Sequence, residues 1–214
     1  MVHYSFPFLI QSLQRKLTTG ILPGEEMHLK MAHAIRRVAL PEDISHAKPA
    51  GVLIMLYEKP SLGLHVIMVR RISGQGRDKH AGQIAFPGGK RDPSDRDLMY
   101  TALREAGEEV AVDLTQVDVL GALSPLYIPV SKFLVHPYVS FVHGLPQLSP
   151  QETEIDTILD LPLSSFRAHE ARQTTRIALT NRITLNHVPC FFIEGHVIWG
   201  ATAMIMNELL ELLN

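Results

Sequence analysis

Residues 86–112, FPGGKRDPSDRDLMYTALREAGEEVAV, constrain this chain more than any other stretch. They open as a Pro-Gly-Gly turn, cross an Asp-rich loop and enter a pattern that predicts a helix over residues 97–110. Leu98, Ala102, Leu103, Ala106 and Val110 recur at spacings of three and four and so share one apolar face. The same period gathers Glu105, Glu108 and Glu109 on a different face. Like charges at those spacings repel by about 0.2–0.5 kcal/mol per pair, and carboxylates near a helix C-terminus also oppose the macrodipole. Stability alone does not select that arrangement. A hard divalent cation reverses the argument, because Mg²⁺ or Mn²⁺ seeks oxygen ligands and turns the repulsion into attraction. The alternative is a solvated acidic face with Arg104 as an ordinary ion-pair partner.

Just upstream, RRISGQGRDKHAGQ is rich in Gly and basic residues, and Arg70, Arg71, Arg77 and Lys79 face only Asp78 as a nearby acid. A cationic lip beside a metal site suits a phosphate-rich substrate, since Arg and Lys add charge-assisted hydrogen bonds. The alternative is a solvated loop without a ligand, in which His80 caps the loop instead of touching substrate.

The run GGKRDPSDRDLMYTALREAGEEVAV resembles the signature of the Nudix hydrolases, whose core is Arg-Glu-x-x-Glu-Glu on a helix behind a Gly-rich loop. Arg104, Glu105, Glu108 and Glu109 match that core position by position, and Gly89 matches the loop glycine. Two positions depart from the general pattern. Ala111 stands where a Gly usually closes the helix, and the interval from Gly89 to Arg104 is one residue longer than the common form, so Asp95 or Asp97 replaces the upstream glutamate. The resemblance implies catalytic roles for Arg104, Glu105, Glu108 and Glu109. The three glutamates would hold Mg²⁺ or Mn²⁺ with the Gly89 carbonyl as a further ligand, and Arg104 would orient a glutamate. Glu105, or a residue outside the helix, would be the general base.

The segment HAGQIAFPGGK is similar to the additional motif of the coenzyme A diphosphatase branch of that family, with Gly82 and Phe86-Pro87-Gly88-Gly89 at the right interval. Ahead of Gly82 the match is less regular: Asp78 stands where that branch has Arg, and Arg77 is one place off. The expected substrate-binding residues along this stretch are Arg70, Arg71, Arg77, His80, Gln83, Phe86 and Lys90. IWGATAMI near the C-terminus also resembles the end of that branch.

The remaining chain frames this stretch. Residues 25–38 predict an amphipathic helix, VLIMLY a strand buried on both faces, and LHVIMVR its partner. VDVLGALSPLYIP and FLVHPYVSFV read as strands, with Pro137 implying an edge or bulged position in the second. In ETEIDTILDLPLSSF, Glu152 or Glu154 could supply a further ligand or base, or be a surface charge. RIALTNRITL and HVPCFFIEGHVIWG read as hairpins turning at Asn181 and at Glu194-Gly195, and residues 202–213 predict a closing helix. Strands on both sides of a central helix indicate an α/β domain, and the resemblance implies the Nudix-type α/β/α sandwich with a mixed β-sheet. Residues 1–45 are expected to form a helical extension packed on a domain spanning 46–214.

With 46% hydrophobic and 20% charged residues and a net charge of −2, the chain offers no global attraction to nucleic acid or anionic membrane, so phosphate recognition must be local. Cys190 is the single cysteine and sits in the apolar run PCFFI, which predicts a buried, inert thiol. No apolar run approaches the ~18 residues needed to span a bilayer. These features predict a cytoplasmic location; Arg15 and Lys16, with no acid before Glu25, leave an organellar transit peptide as the alternative. The resemblance adds a homodimer. The expected activity is metal-dependent hydrolysis of the diphosphate linkage of coenzyme A or acyl-CoA. A Nudix hydrolase of another nucleoside diphosphate derivative, such as ADP-ribose, is the second reading. A non-catalytic ligand-binding domain is the third, and it has no physical need for three mutually repelling carboxylates.

Overall fold

The unbroken apolar run around VLIMLY forms the centre of β1 (Lys48–Lys59), and both of its faces are buried. The computed structural model describes residues 8–35, 43–72, 82–180 and 183–214. β1 lies parallel to β7 (Phe133–Val142) and antiparallel to β2 (Gly63–Arg71). β8 (Ile155–Pro162) runs along the other edge of β2, while β5 (Val117–Ala122) and β6 (Leu126–Ile128) share the far edge of β7. β1 and β2 part company beyond Met55 and Ile67. Into that fork come β3 (Ile84–Ala85), paired with Val69 and Arg70, and β4 (Gly88–Lys90), paired with Ala50 to Val52. The Leu53 amide donates to the Pro87 carbonyl at 2.8 Å near the apex of the fork.

Alternation decides what each face meets. Leu53, Met55, Tyr57, Ile67 and Val69 pack with Ala102, Ala106 and Val110 of the long helix after β4. Ile54, Leu56, Val66 and Met68 face the opposite way, toward Ile10, Leu13 and Leu17 of α1 (Phe8–Thr19) and toward the C-terminal helix. The fold is therefore an α/β/α sandwich around a mixed sheet. Further helices, in chain order, are α2 (Gly24–Lys30), α3 (Leu98–Val110) and α4 (Gly200–Leu212).

α4 is buried on nearly all sides, so its polar residues are paired inside the protein. Glu208 accepts from the amides of Gly24 (3.3 Å) and Ser124 (3.2 Å), and its other oxygen lies 2.8 Å from His28 Nε2. Asn207 donates to the Met27 carbonyl at 2.8 Å and accepts from Arg172 at 3.0 Å. These contacts fix α2 and the β5–β6 connection to α4. A three-stranded antiparallel sheet of β9 (Arg172–Thr180), β10 (Ile183–Ile193) and β11 (His196–Trp199) completes the fold. Cys190 is 1% exposed there, and burial pushes its thiol up.

Several expectations are corrected. The helix over 25–38 stops at Lys30: the amides of Met31 and Ala32 bond to carbonyls three residues back, which tightens and ends the turn, and residues 36–38 lie outside the described residues. Pro137 is not at an edge, because β7 is paired on both sides. It sits at the break between β6 and β5, and its carbonyl accepts from Leu123 at 2.9 Å. The two expected hairpins share one strand: residues 183–193 form a single bulged strand, paired antiparallel with β9 and β11, with His187 at φ 54° where the register shifts. The expected turn at Glu194-Gly195 has both φ values positive, as a type I′ two-residue hairpin turn requires. Asn181 lies outside the described residues.

Ala111 closes α3 in the left-handed region, at φ 54°. A Cβ is disfavoured there, so Ala111→Gly is expected to stabilise the fold by about 0.5–1 kcal/mol after allowing for the looser unfolded chain. Thermal melting should show Tm rising by about 1–4 °C. A fall would contradict the strain.

Candidate active site

Two close approaches bring α3 onto the fork. A Cβ on Gly51 would run into the Leu98 carbonyl and the Ala102 backbone, and a Cβ on Gly89 would run into the Glu105 carboxylate. Gly51 and Gly89 face each other across the β1–β4 pair, so the helix rests on a strip without side chains and Glu105 is set against the β4 backbone.

Arg104 is the hub of the helix's polar side. Its guanidinium donates to both oxygens of Asp95 (2.9 and 3.1 Å), to Glu105 (2.9 Å) and to Glu108 (2.8 Å). Asp95 is 2% exposed and also accepts from the Asp92 amide and the Thr101 hydroxyl. Hydrogen bonding to Arg104 holds the Asp95 carboxyl well below its ordinary range and in turn pushes Arg104 up. The choice left open by sequence is thereby made for Asp95. Asp97 instead caps α3, accepting from the Tyr100 amide at 2.7 Å.

Glu109 points inward and is 3% exposed. Its two oxygens accept from Arg71 and from the Gly88 amide, each at 3.0 Å. Burial pushes its carboxyl up to about 7 against those two donors, with the charges of Glu105 and Glu154 adding to the rise. Glu105 is also raised, chiefly by burial, with Glu108 and Glu154 contributing. Glu154 therefore belongs to the site electrostatically; one of its oxygens lies 4.0 Å from Arg71. Glu152 is exposed.

The structure thus brings together Gly88, Gly89, Arg71, Arg104, Glu105, Glu108, Glu109 and Glu154. It does not bring Arg70 with them: that side chain leaves the opposite face of β2 and bonds to Asp156 (2.5 Å) and Thr157 (2.9 Å) on β8. Phe86, expected to bind substrate, is corrected to a core position; it is 3% exposed and packs on the α1 and α4 side of the sheet. Lys90 is exposed at the end of β4, and the Gln83 carbonyl accepts from the Arg71 amide at 3.1 Å. Arg77 and His80 lie outside the described residues. Sequence reasoning missed the Arg71–Glu109 pair, which joins residues 38 apart in the chain.

Among the described residues no three Asp, Glu, His or Cys side chains converge on one point as they stand. Glu108 is turned to Arg104 and Glu109 to Arg71. The donor set nevertheless fits a hard divalent cation. Every side-chain donor is a carboxylate oxygen; burial raises both Glu105 and Glu109, and the charges of Glu105 and Glu154 add to the rise at Glu109, a strain that a cation would relieve.

The NUDIX domain profile matches residues 47–184, a span that holds β4, α3 and the whole cluster. The chain belongs to the Nudix hydrolase family. A Pectobacterium atrosepticum protein named as an uncharacterized Nudix hydrolase, NudL, is 35% identical over 169 residues, covering 78% of this chain and 83% of that protein. A Yersinia enterocolitica protein of the same name is 39% identical over 168 residues, covering 77% and 81%. Among solved structures, a MutT/nudix family protein from Enterococcus faecalis superposes with a TM-score of 0.50 at 15% identity, covering 88% of this chain and 73% of that one, a likeness of fold. As a Nudix hydrolase, the protein acts on phosphorus-containing anhydrides, and Nudix enzymes generally use divalent metal ions. No helix among the described residues is long and apolar enough to cross a membrane.

Proposed function

We propose that this Nudix hydrolase cleaves the diphosphate linkage of coenzyme A or acyl-CoA, giving 3′,5′-ADP and (acyl-)4′-phosphopantetheine, with Mg²⁺ or Mn²⁺ as cofactor. The observation that carries the hydrolytic reading is the seating of Glu105 and Glu109 against Gly88 and Gly89, with Arg104 anchored by Asp95. The coenzyme A assignment rests on HAGQIAFPGGK.

A diphosphate resists attack because its own charge repels the nucleophile. When bound, the divalent cation neutralises the phosphate oxygens and lowers the pKa of a coordinated water. Glu105, Glu108 and Glu109 would hold it, with the Gly89 carbonyl as a further ligand. Arg104 orients Glu105, so this carboxylate is set before substrate arrives, while Glu108 would turn from Arg104 to join it. Water attacks phosphorus, the P–O bond to the leaving phosphate breaks, and the water proton passes to a carboxylate. Glu105 and Glu154 are the two candidates for that base. Arg71 and Lys90 would face the anionic substrate.

Asp78 and Ala111, which depart from the pattern, keep open the second reading, a Nudix hydrolase of another nucleoside diphosphate derivative such as ADP-ribose. Incubating the purified protein with coenzyme A, acyl-CoA and ADP-ribose in Mg²⁺ separates the readings. Release of 3′,5′-ADP from coenzyme A supports the assignment; cleavage of ADP-ribose with coenzyme A untouched overturns the substrate and leaves the chemistry standing.

A further inference from the structure

We infer that Arg71 is a resident counter-cation of Glu109 that transfers to Glu154 when a divalent cation enters, so that Arg71 sets the metal affinity of the site. This rests on the metal-dependent reading above and extends it to a positioning residue outside the helix.

Three features carry it. Glu109 is almost fully buried, and a buried carboxylate must be paired or neutralised; Arg71 Nη1 supplies the pairing at 3.0 Å. The same guanidinium already reaches toward a second acid, with Nη2 at 4.0 Å from Glu154 Oε2. The backbone on both sides is fixed, so the exchange is a side-chain rotation. The Arg71 amide and carbonyl bond to Gln83 and Gly82 at 3.1 Å each, and the Ile72 amide bonds to the Glu154 carbonyl at 2.9 Å. Glu154 is the more exposed acid, at 55% against 4% for Glu109, so solvent and substrate reach Arg71 more readily in the second position. A dication held by Glu109 would repel the guanidinium that now pairs with that carboxylate at 3.0 Å, and a nearby carboxylate that can receive it lowers the cost of displacement. Metal entry would thereby turn Arg71 toward the diphosphate.

The test is Mn²⁺ binding, followed as free Mn²⁺ by electron paramagnetic resonance, with no substrate present. Arg71→Gln and Arg71→Ala remove the competing charge and are expected to tighten Mn²⁺ binding by about tenfold. Arg71→Lys keeps the charge and should stay within about threefold of the native Kd. Glu154→Gln removes the receiving acid, and its weakening of Mn²⁺ binding should be larger in the native background than in Arg71→Gln, since only the former has a guanidinium to relocate. Equal or weaker binding in both neutral Arg71 variants, each shown folded by circular dichroism, would overturn the inference. Failure of the native protein to bind Mn²⁺ at all would overturn the metal-dependent reading beneath it.

Discussion

Glu109→Gln is expected to lower kcat on coenzyme A by roughly 10²–10³-fold while leaving the protein folded. The size follows from removing one anionic ligand of a cation that supplies several kcal/mol of charge stabilisation at phosphorus. The fold should survive because glutamine keeps an oxygen for the Gly88 amide and fills the same space. Losing a buried negative charge also removes a strained group, since burial holds that carboxyl up at about 7. The variant should therefore melt no lower than the native protein by more than a few degrees, with Arg71 left to pair with Glu154. Steady-state kinetics beside a melting curve checks both parts. Near-native turnover would remove Glu109 from the machinery.

Glu208→Ala is expected to produce the largest loss of stability, about 3–5 kcal/mol, because it leaves His28 and the amides of Gly24 and Ser124 without their shared acceptor in the core. For a chain of this size that corresponds to a fall in Tm of roughly 6–20 °C. The pH dependence has a definite sign. Burial alone would raise Glu208, but hydrogen bonds from His28 and Ser124 outweigh it and hold the carboxyl below its ordinary value of 4.5. Its contribution is complete above that value and is lost as pH falls through the lower folded one. The part of the stability difference that comes from the Glu208 charge should thus shrink below about 4. Denaturant unfolding at stepped pH measures it; a gap that widens on acidification would contradict the pairing.

The sequence foretold the elements whose pattern is local. The helix expected over 97–110 appears as Leu98–Val110, and VLIMLY is buried on both faces because the sheet is covered by α3 on one side and by α1 and α4 on the other. What it could not give is long-range. The fork between β1 and β2 depends on two very short strands, β3 and β4, whose three or fewer residues carry no period. Pro137 implied an edge or bulged position because a proline lacks an amide to donate, and the break between two partner strands meets that need inside the sheet. Asp95 and Asp97 were equivalent on paper; loop geometry turned one to Arg104 and the other to the helix amide. Phe86 illustrates the reverse error. It stands beside the functional glycines in sequence, yet its side chain goes to the opposite face, into the core.

The most direct measurement is product analysis of coenzyme A incubated with the native protein in Mg²⁺ and, in parallel, with a chelator. The account predicts equimolar 3′,5′-ADP and 4′-phosphopantetheine with Mg²⁺, and loss of both when the metal is withdrawn. Undiminished product in the chelated sample would contradict metal-dependent hydrolysis at Glu105, Glu108 and Glu109.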